Sequence, residues 1–230
     1  MTIKGILLDF GGTLDSNGRN WYDLMYQLCL QQGLHLDYQS FVRFGRTAGT
    51  RIFHHSDIGL LSHGGTVRRL LSELRNQVAP HFSLDAEAVA KAFVKGAQAS
   101  LARNRHVVEE LSGKFRLGVL SNNWGNAQGW CEEYGYHHFL HTVVDSGLVG
   151  ISKPEPGIFE VGIREMGLPP REIAYVGDRY QTDMVGAKNV GLRSVWIRYP
   201  HTEERLENDK MVDHVIGSLP QLLDVVRQGW

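Results

Sequence analysis

Asp9 stands where the apolar run Ile6-Leu7-Leu8 gives way to Phe10, Gly11 and Gly12, so an apolar strand ends in a bare carboxylate beside a glycine pair. Thr13 follows four residues later. Ser121 and Asn122 close a second apolar run, Lys153 stands between Ser152 and Pro154, and Asp178 follows Gly177 with Asp183 five residues beyond. These residue types suit phosphoryl transfer. A carboxylate nucleophile is repelled by a phosphate dianion, and a divalent cation held by Asp9 and Asp178 would neutralise the repulsion and orient both partners. Every candidate ligand is an oxygen, with no His or Cys in the set, which points to magnesium. Thr13 and Ser121 supply hydroxyl donors for phosphate oxygens, with Asn122 beside them. Lys153 supplies positive charge for the nucleophile and the transferring group, and the backbone N–H groups at Gly11 and Gly12 can close on the same oxygens.

Such residues must be brought together by elements, and the pattern of the chain says which. Short apolar, β-branched runs recur at residues 3–8, 115–120, 143–144, 173–176, 192–197 and 215–216, mostly separated by stretches of helical spacing. That alternation predicts an α/β fold, a parallel sheet covered on both faces, which presents ligand-binding groups at the carboxyl ends of its strands. Between the first and second runs lies a long insertion without strand character. Its segments 21–32, 66–78 and 84–101 carry apolar residues three and four apart, such as Val67, Leu70, Leu71 and Leu74, and read as amphipathic helices. The expected division is a core of residues 1–15 and 104–230 and an all-helical subdomain of residues 16–103. A helix is also expected over 155–166.

Bulk properties narrow the partners. The 230 residues carry a formal net charge of −1 with the signs intermixed, so neither a basic stripe for nucleic acid nor an acidic tail is present. No membrane partner is expected, because no apolar stretch approaches spanning length, and the start of the chain enters a strand-like run too soon for a signal peptide. A cytoplasmic location follows as an expectation. The oligomeric state is left open. Cys29 and Cys131 are far apart and outside any Cys-x-x-Cys spacing, which suits reduced thiols on helices.

The set Asp9-Phe-Gly-Gly-Thr13-Leu, Leu-Ser121-Asn122, Ser-Lys153-Pro and Gly177-Asp178-Arg-Tyr-Gln-Thr-Asp183 resembles the haloacid dehalogenase-like (HAD) hydrolase superfamily, matching its four motifs in order along the whole chain. The resemblance implies a Rossmann-like core, a mobile helical cap of the subfamily I type inserted after the first motif, and a phosphoaspartate formed on Asp9 from a small phosphorylated substrate. It places magnesium on Asp9, the backbone carbonyl of Gly11 and Asp178, with Asp183 supporting the metal shell.

The chain departs from that pattern at Gly11, where family phosphatases carry a second Asp that protonates the leaving group and then activates water. General acid–base help of this kind is worth roughly 10² to 10⁴ in rate. Three readings accommodate its loss. The protein is a phosphatase for substrates with good leaving groups, or one in which Asp15 or a residue of the insertion stands in. It is a carbon–halogen hydrolase, which expels halide without a proton, although such enzymes usually lack the acid kept here as Asp178. Or it is a phosphate-binding regulatory protein of weak turnover. The histidines at 54, 55, 63, 137, 138 and 141 match no tight ligand spacing and are expected at the surface or half-buried. Arg43, Arg46 and Arg51 either face an anionic substrate or decorate a helix, and Trp124 and Tyr180 either wall the pocket or pack.

Overall fold

The computed structural model describes residues 2–78, 83–199 and 210–230. Six strands, β1 (Gly5–Leu8), β2 (Arg116–Ser121), β3 (Thr142–Asp145), β4 (Ile173–Gly177), β5 (Arg193–Ile197) and β6 (His214–Ile216), form one sheet in the order β3-β2-β1-β4-β5-β6. Every pairing is parallel. This is a Rossmann-like α/β fold. The apolar runs explain it: Ile6 and Leu8 of β1 join one buried cluster with Val119 and Val176, while Leu7 joins another with Leu120 and Tyr175, so successive side chains fill cores on opposite faces.

Between β1 and β2 the chain forms α1 (Trp21–Leu30), α2 (Tyr38–Phe53), α3 (His63–Val78) and α4 (Ala86–Ser112). They enclose a third cluster that includes Met25, Phe41, Leu71 and Phe93. Val67, Leu70, Leu71 and Leu74 of α3 are all buried in it, and a fully buried leucine contributes about 2 kcal/mol. α2, which has no counterpart among the three helical segments expected from apolar spacing, forms despite Gly45 and Gly49, residues that argue locally against a helix. A Cβ at Gly45 would lie 2.6 Å from the Tyr22 ring, so this glycine serves the close approach of α1 and α2. The expected division at 103/104 falls inside α4, which runs unbroken. Its early face, with Phe93 and Ala97, packs in the insertion's cluster, and its later face, with Val107, Val108 and Leu111, packs against the sheet. The helix changes partner rather than stopping.

Among the described residues five further helices, α5 (Ala127–Glu133), α6 (Ser146–Val149), α7 (Pro156–Met166), α8 (Gly186–Asn189) and α9 (Leu222–Gln228), complete the layers. Cys29 and Cys131 are buried free thiols, both pushed up to about 12 by burial. Among the described residues, no helix is long and apolar enough to cross a membrane.

Candidate active site

Strand register brings the motif residues together. Leu8 pairs with Val119 on one side and Val176 on the other, so the next steps along three adjacent strands deliver Asp9, Ser121 and the Gly177-Asp178 corner to one edge. The Asp9 amide donates to the Val176 carbonyl at 2.9 Å. Asp9 Oδ1 accepts from the Phe10 amide at 2.8 Å and from the Ser121 hydroxyl at 2.7 Å, and Oδ2 lies 3.0 Å from Lys153 Nζ. Lys153 Nζ also sits 2.8 Å from Asp183 Oδ1 and donates to the Tyr175 hydroxyl at 2.7 Å, which in turn donates to the Leu120 carbonyl. Tyr175 escaped the sequence reading because it lies inside an apolar strand, where a tyrosine reads as packing.

Asn122, expected to meet phosphate, lines the cavity, but its amide holds the Lys153 backbone at both ends: Nδ2 donates to the Lys153 carbonyl and Oδ1 accepts from its amide. It positions the lysine. Ser121 likewise points its hydroxyl at the Asp9 carboxylate.

The carboxylates of Asp9, Asp178 and Asp183 each place an oxygen within 4.8 Å of the others, all three side chains buried. Burial, opposed by Lys153 and Ser121 and reinforced by Asp183, leaves the Asp9 carboxyl raised above its ordinary value. Burial followed by repulsion from Asp183 and Asp9 pushes Asp178 well above its own. For Lys153, burial works against the charge, but Asp183 and Asp9 outweigh it and hold the ammonium raised. Asp178 Oδ1 and Thr13 Oγ1 are buried without a hydrogen-bond partner. Three crowded carboxylates facing one buried ammonium, with a carboxylate oxygen left unmatched, fit a hard divalent cation with oxygen ligands. Gly12 makes the crowding sterically feasible: its φ is +90°, and a Cβ there would come within 2.3 Å of Asp178 Cγ.

Gly11 lines a cavity of about 240 Å³ together with Asp9, Ser121, Lys153, Trp21 and Trp124. A Cβ at Gly11 would lie 3.3 Å from Trp21 Nε1, so the space of a second acid's side chain borders an indole from α1. That indole donates to Asp15 Oδ2 at 2.6 Å. Asp15 is buried, its Oδ1 accepting from the Gly12 amide and the Ser16 hydroxyl, and burial lifts its carboxyl to about 6 against those bonds. It does not line the cavity, so Asp15 is held behind Trp21 rather than presented to a leaving group.

His63 corrects an expectation: it is fully buried. Its Nδ1 meets the Tyr134 hydroxyl at 3.0 Å, its amide donates to Glu133, and Nε2 stands 3.7 Å from Asp15 Oδ2, too far for a hydrogen bond. Burial lowers it to about 4. The sequence held no sign of this, since its partners lie about 50 and 70 residues away in the chain. A wider cleft of about 750 Å³ adjoins the cavity and is lined by Asp178, Arg43, Arg46, Arg179 and Tyr180, whereas Arg51 faces Glu73 at 4.0 Å.

Fold and site together define a parallel α/β protein with an acidic oxygen-donor centre at the carboxyl edge of its sheet. The chain belongs to the haloacid dehalogenase-like hydrolase family, which it matches over residues 3–191. It is 41% identical over 91 residues to glyceraldehyde 3-phosphate phosphatase of Pyrococcus furiosus, covering 39% of this chain and 38% of that protein. It spans about half or less of the length of the curated relatives it matches. Among solved structures, the L-2-haloacid dehalogenase RSc1362 superposes with a TM-score of 0.65 at 18% identity, covering 99% of this chain and 100% of that one. The HAD-hydrolase YfnB of Bacillus subtilis bound to magnesium gives 0.60 at 15% identity, over 98% and 99%. At these identities the two structures speak for the fold.

Proposed function

We propose that this protein is a magnesium-dependent phosphatase for small phosphorylated compounds with good leaving groups, acting through an aspartyl phosphate on Asp9. The observation that carries the reading is the buried carboxylate trio with its unmatched Asp178 oxygen, beside a lysine that contacts the nucleophile. The phosphatase named among its relatives supports the reaction class.

Asp9, Asp178 and Asp183, with the Gly11 carbonyl, would hold magnesium, which would offset the clustered negative charge and polarise phosphoryl oxygens. An Asp9 carboxylate oxygen attacks phosphorus in line, and the bond to the leaving oxygen breaks with its electron pair. Lys153 and Ser121 keep the attacking carboxylate ionised and aimed. The leaving group departs as an anion, because Gly11 offers no proton. Water then attacks the phosphorus, the Asp9–phosphate bond breaks, phosphate is released and the water's proton passes to solvent. The helices of residues 16–103 act as the cap over the core of residues 1–15 and 104–230.

The test is one panel with and without magnesium, containing acetyl phosphate, aryl and sugar phosphates and 2-haloacids, read by phosphate or halide release and by intact mass. Magnesium-dependent phosphate release that falls steeply from acetyl to sugar phosphates is expected, with an adduct on the wild type. Asp9→Asn should show no adduct and lose activity on the order of 10⁴-fold or more. Metal-independent halide release would replace this reading with carbon–halogen hydrolysis, and phosphate binding without turnover would replace it with a regulatory role.

A further inference from the structure

Three indoles border the cavity beside Asp9, with the polar residues Asn20, Asn122, Asn123, Arg179 and Thr182 on the remainder of its lining. Trp21 and Trp130 stack with ring centroids 5.7 Å apart and planes 18° from parallel, and Trp124 lies 6.2 Å from Trp21. Trp21 and Trp124 face the cavity with Asp9 and Lys153, and the almost fully buried Trp130 backs Trp21. Their N–H groups are each committed elsewhere: Trp21 to Asp15 Oδ2 at 2.6 Å, Trp124 to the Gly49 carbonyl at 3.1 Å, Trp130 to the Leu61 carbonyl at 3.2 Å. The wall therefore turns hydrocarbon and π surface toward the substrate and withholds its indole donors. A sugar or polyol leaving group laid against this wall would lose hydration without recovering hydrogen bonds from the indoles. A planar ring would gain contact area and aromatic stacking.

Size and chemistry converge with that surface. A dry cavity of 150 Å³ accommodates benzene, so about 240 Å³ has room for one ring and a phosphoryl group. With no acid side chain at Gly11, the leaving oxygen must carry its charge away. Phenols meet both conditions, being planar and acidic enough to leave as anions.

Resting on the phosphatase reading, we infer that the substrate class is an aryl phosphate monoester whose ring lies against the Trp21–Trp124–Trp130 wall. Asp9 forms a bond to phosphorus, the phosphorus–oxygen bond to the ring breaks, and phenolate takes the electron pair and leaves without a proton from the protein.

The decisive comparison is phenyl phosphate against hexafluoroisopropyl phosphate, whose alcohol has phenol-like acidity but no aromatic plane, with acetyl phosphate as a third substrate, all in magnesium. Phenyl phosphate should have the higher kcat/KM by about tenfold, the upper range of an aromatic contact. Trp124→Leu should collapse that preference toward unity, and Trp124→Phe should retain most of it. Should Trp124→Leu fail to fold, the wild-type ratio and the Phe variant decide. Equal turnover of the two esters, or a preference that survives Trp124→Leu, would overturn the aryl assignment while leaving the phosphatase reading intact. No phosphate release from any of the three would overturn the phosphatase reading and this inference with it.

Discussion

A cluster of three buried carboxylates and a group built on the single buried carboxylate of Asp15 lie on either side of the Gly11–Gly12 turn, and they are completed in opposite ways. At the sheet edge, Asp9, Asp178 and Asp183 crowd together around Lys153, with Asp178 Oδ1 unmatched. Behind Trp21, Asp15 has both oxygens engaged, by the Gly12 amide, Ser16 and the Trp21 indole, with His63 alongside. A buried polar group whose bonds are met fixes structure, whereas like charges held together with an oxygen to spare are in tension until a counter-charge arrives. The second group ties α1 to the loop after β1. The first is arranged for a ligand, at a cost in stability that the rest of the fold carries.

The contrast can be broken most forcefully at Lys153. Removing one partner of a buried ion cluster leaves the others uncompensated, so Lys153→Met should destabilise the metal-free protein by about 3–5 kcal/mol in urea unfolding. A loss below about 1 kcal/mol would mean that the carboxylates are already protonated and exert no mutual strain. Next in size is the metal. Magnesium at about 100 times its dissociation constant should stabilise the wild type by about 2.7 kcal/mol, seen as a higher Tm. Asp178→Asn should show little of that gain, yet be at least as stable as wild type without magnesium, because it removes a charge that burial and its neighbours oppose. An unchanged magnesium response in Asp178→Asn would remove this residue from the ligand set.

The smallest effect separates the two groups by pH. Asp15 holds its proton up to about 6 when folded against 3.8 ordinarily, so its contribution to stability falls as pH rises through that interval. His63 takes a proton only near 4 when folded against 6.5 ordinarily, so its contribution falls as pH drops through that interval. Between about 4 and 6 the two slopes oppose each other. Relative to wild type, Asp15→Asn should make stability rise with pH by up to about 1.4 kcal/mol per unit, and His63→Gln should tilt it the other way. Curves parallel to wild type for both variants would show that neither group titrates differently on folding.

The legible part of the molecule was the part written in local patterns. Apolar runs of strand length gave the six strands, the spacing of Val67, Leu70, Leu71 and Leu74 gave α3, and residues just past strand ends gave Asp9, Ser121 and Asp178. α2 was hidden because its glycines are read locally as breakers, while their purpose is contact with Tyr22. Tyr175 and His63 were hidden because their partners come from distant parts of the chain, and Asp15, legible as a nearby acid, could not be seen to be sealed behind Trp21.

The sequence by itself determined a parallel α/β sheet with carboxylates at its carboxyl edge and no acid at position 11, since side-chain alternation and strand-end chemistry are properties of a few consecutive residues. Only the tertiary structure decided that the vacant side of Gly11 is bordered by an indole from α1, that Asp15 is held behind it, and that Asn122 positions Lys153. Those facts depend on burial and on how separate elements fold against one another, which no local pattern encodes.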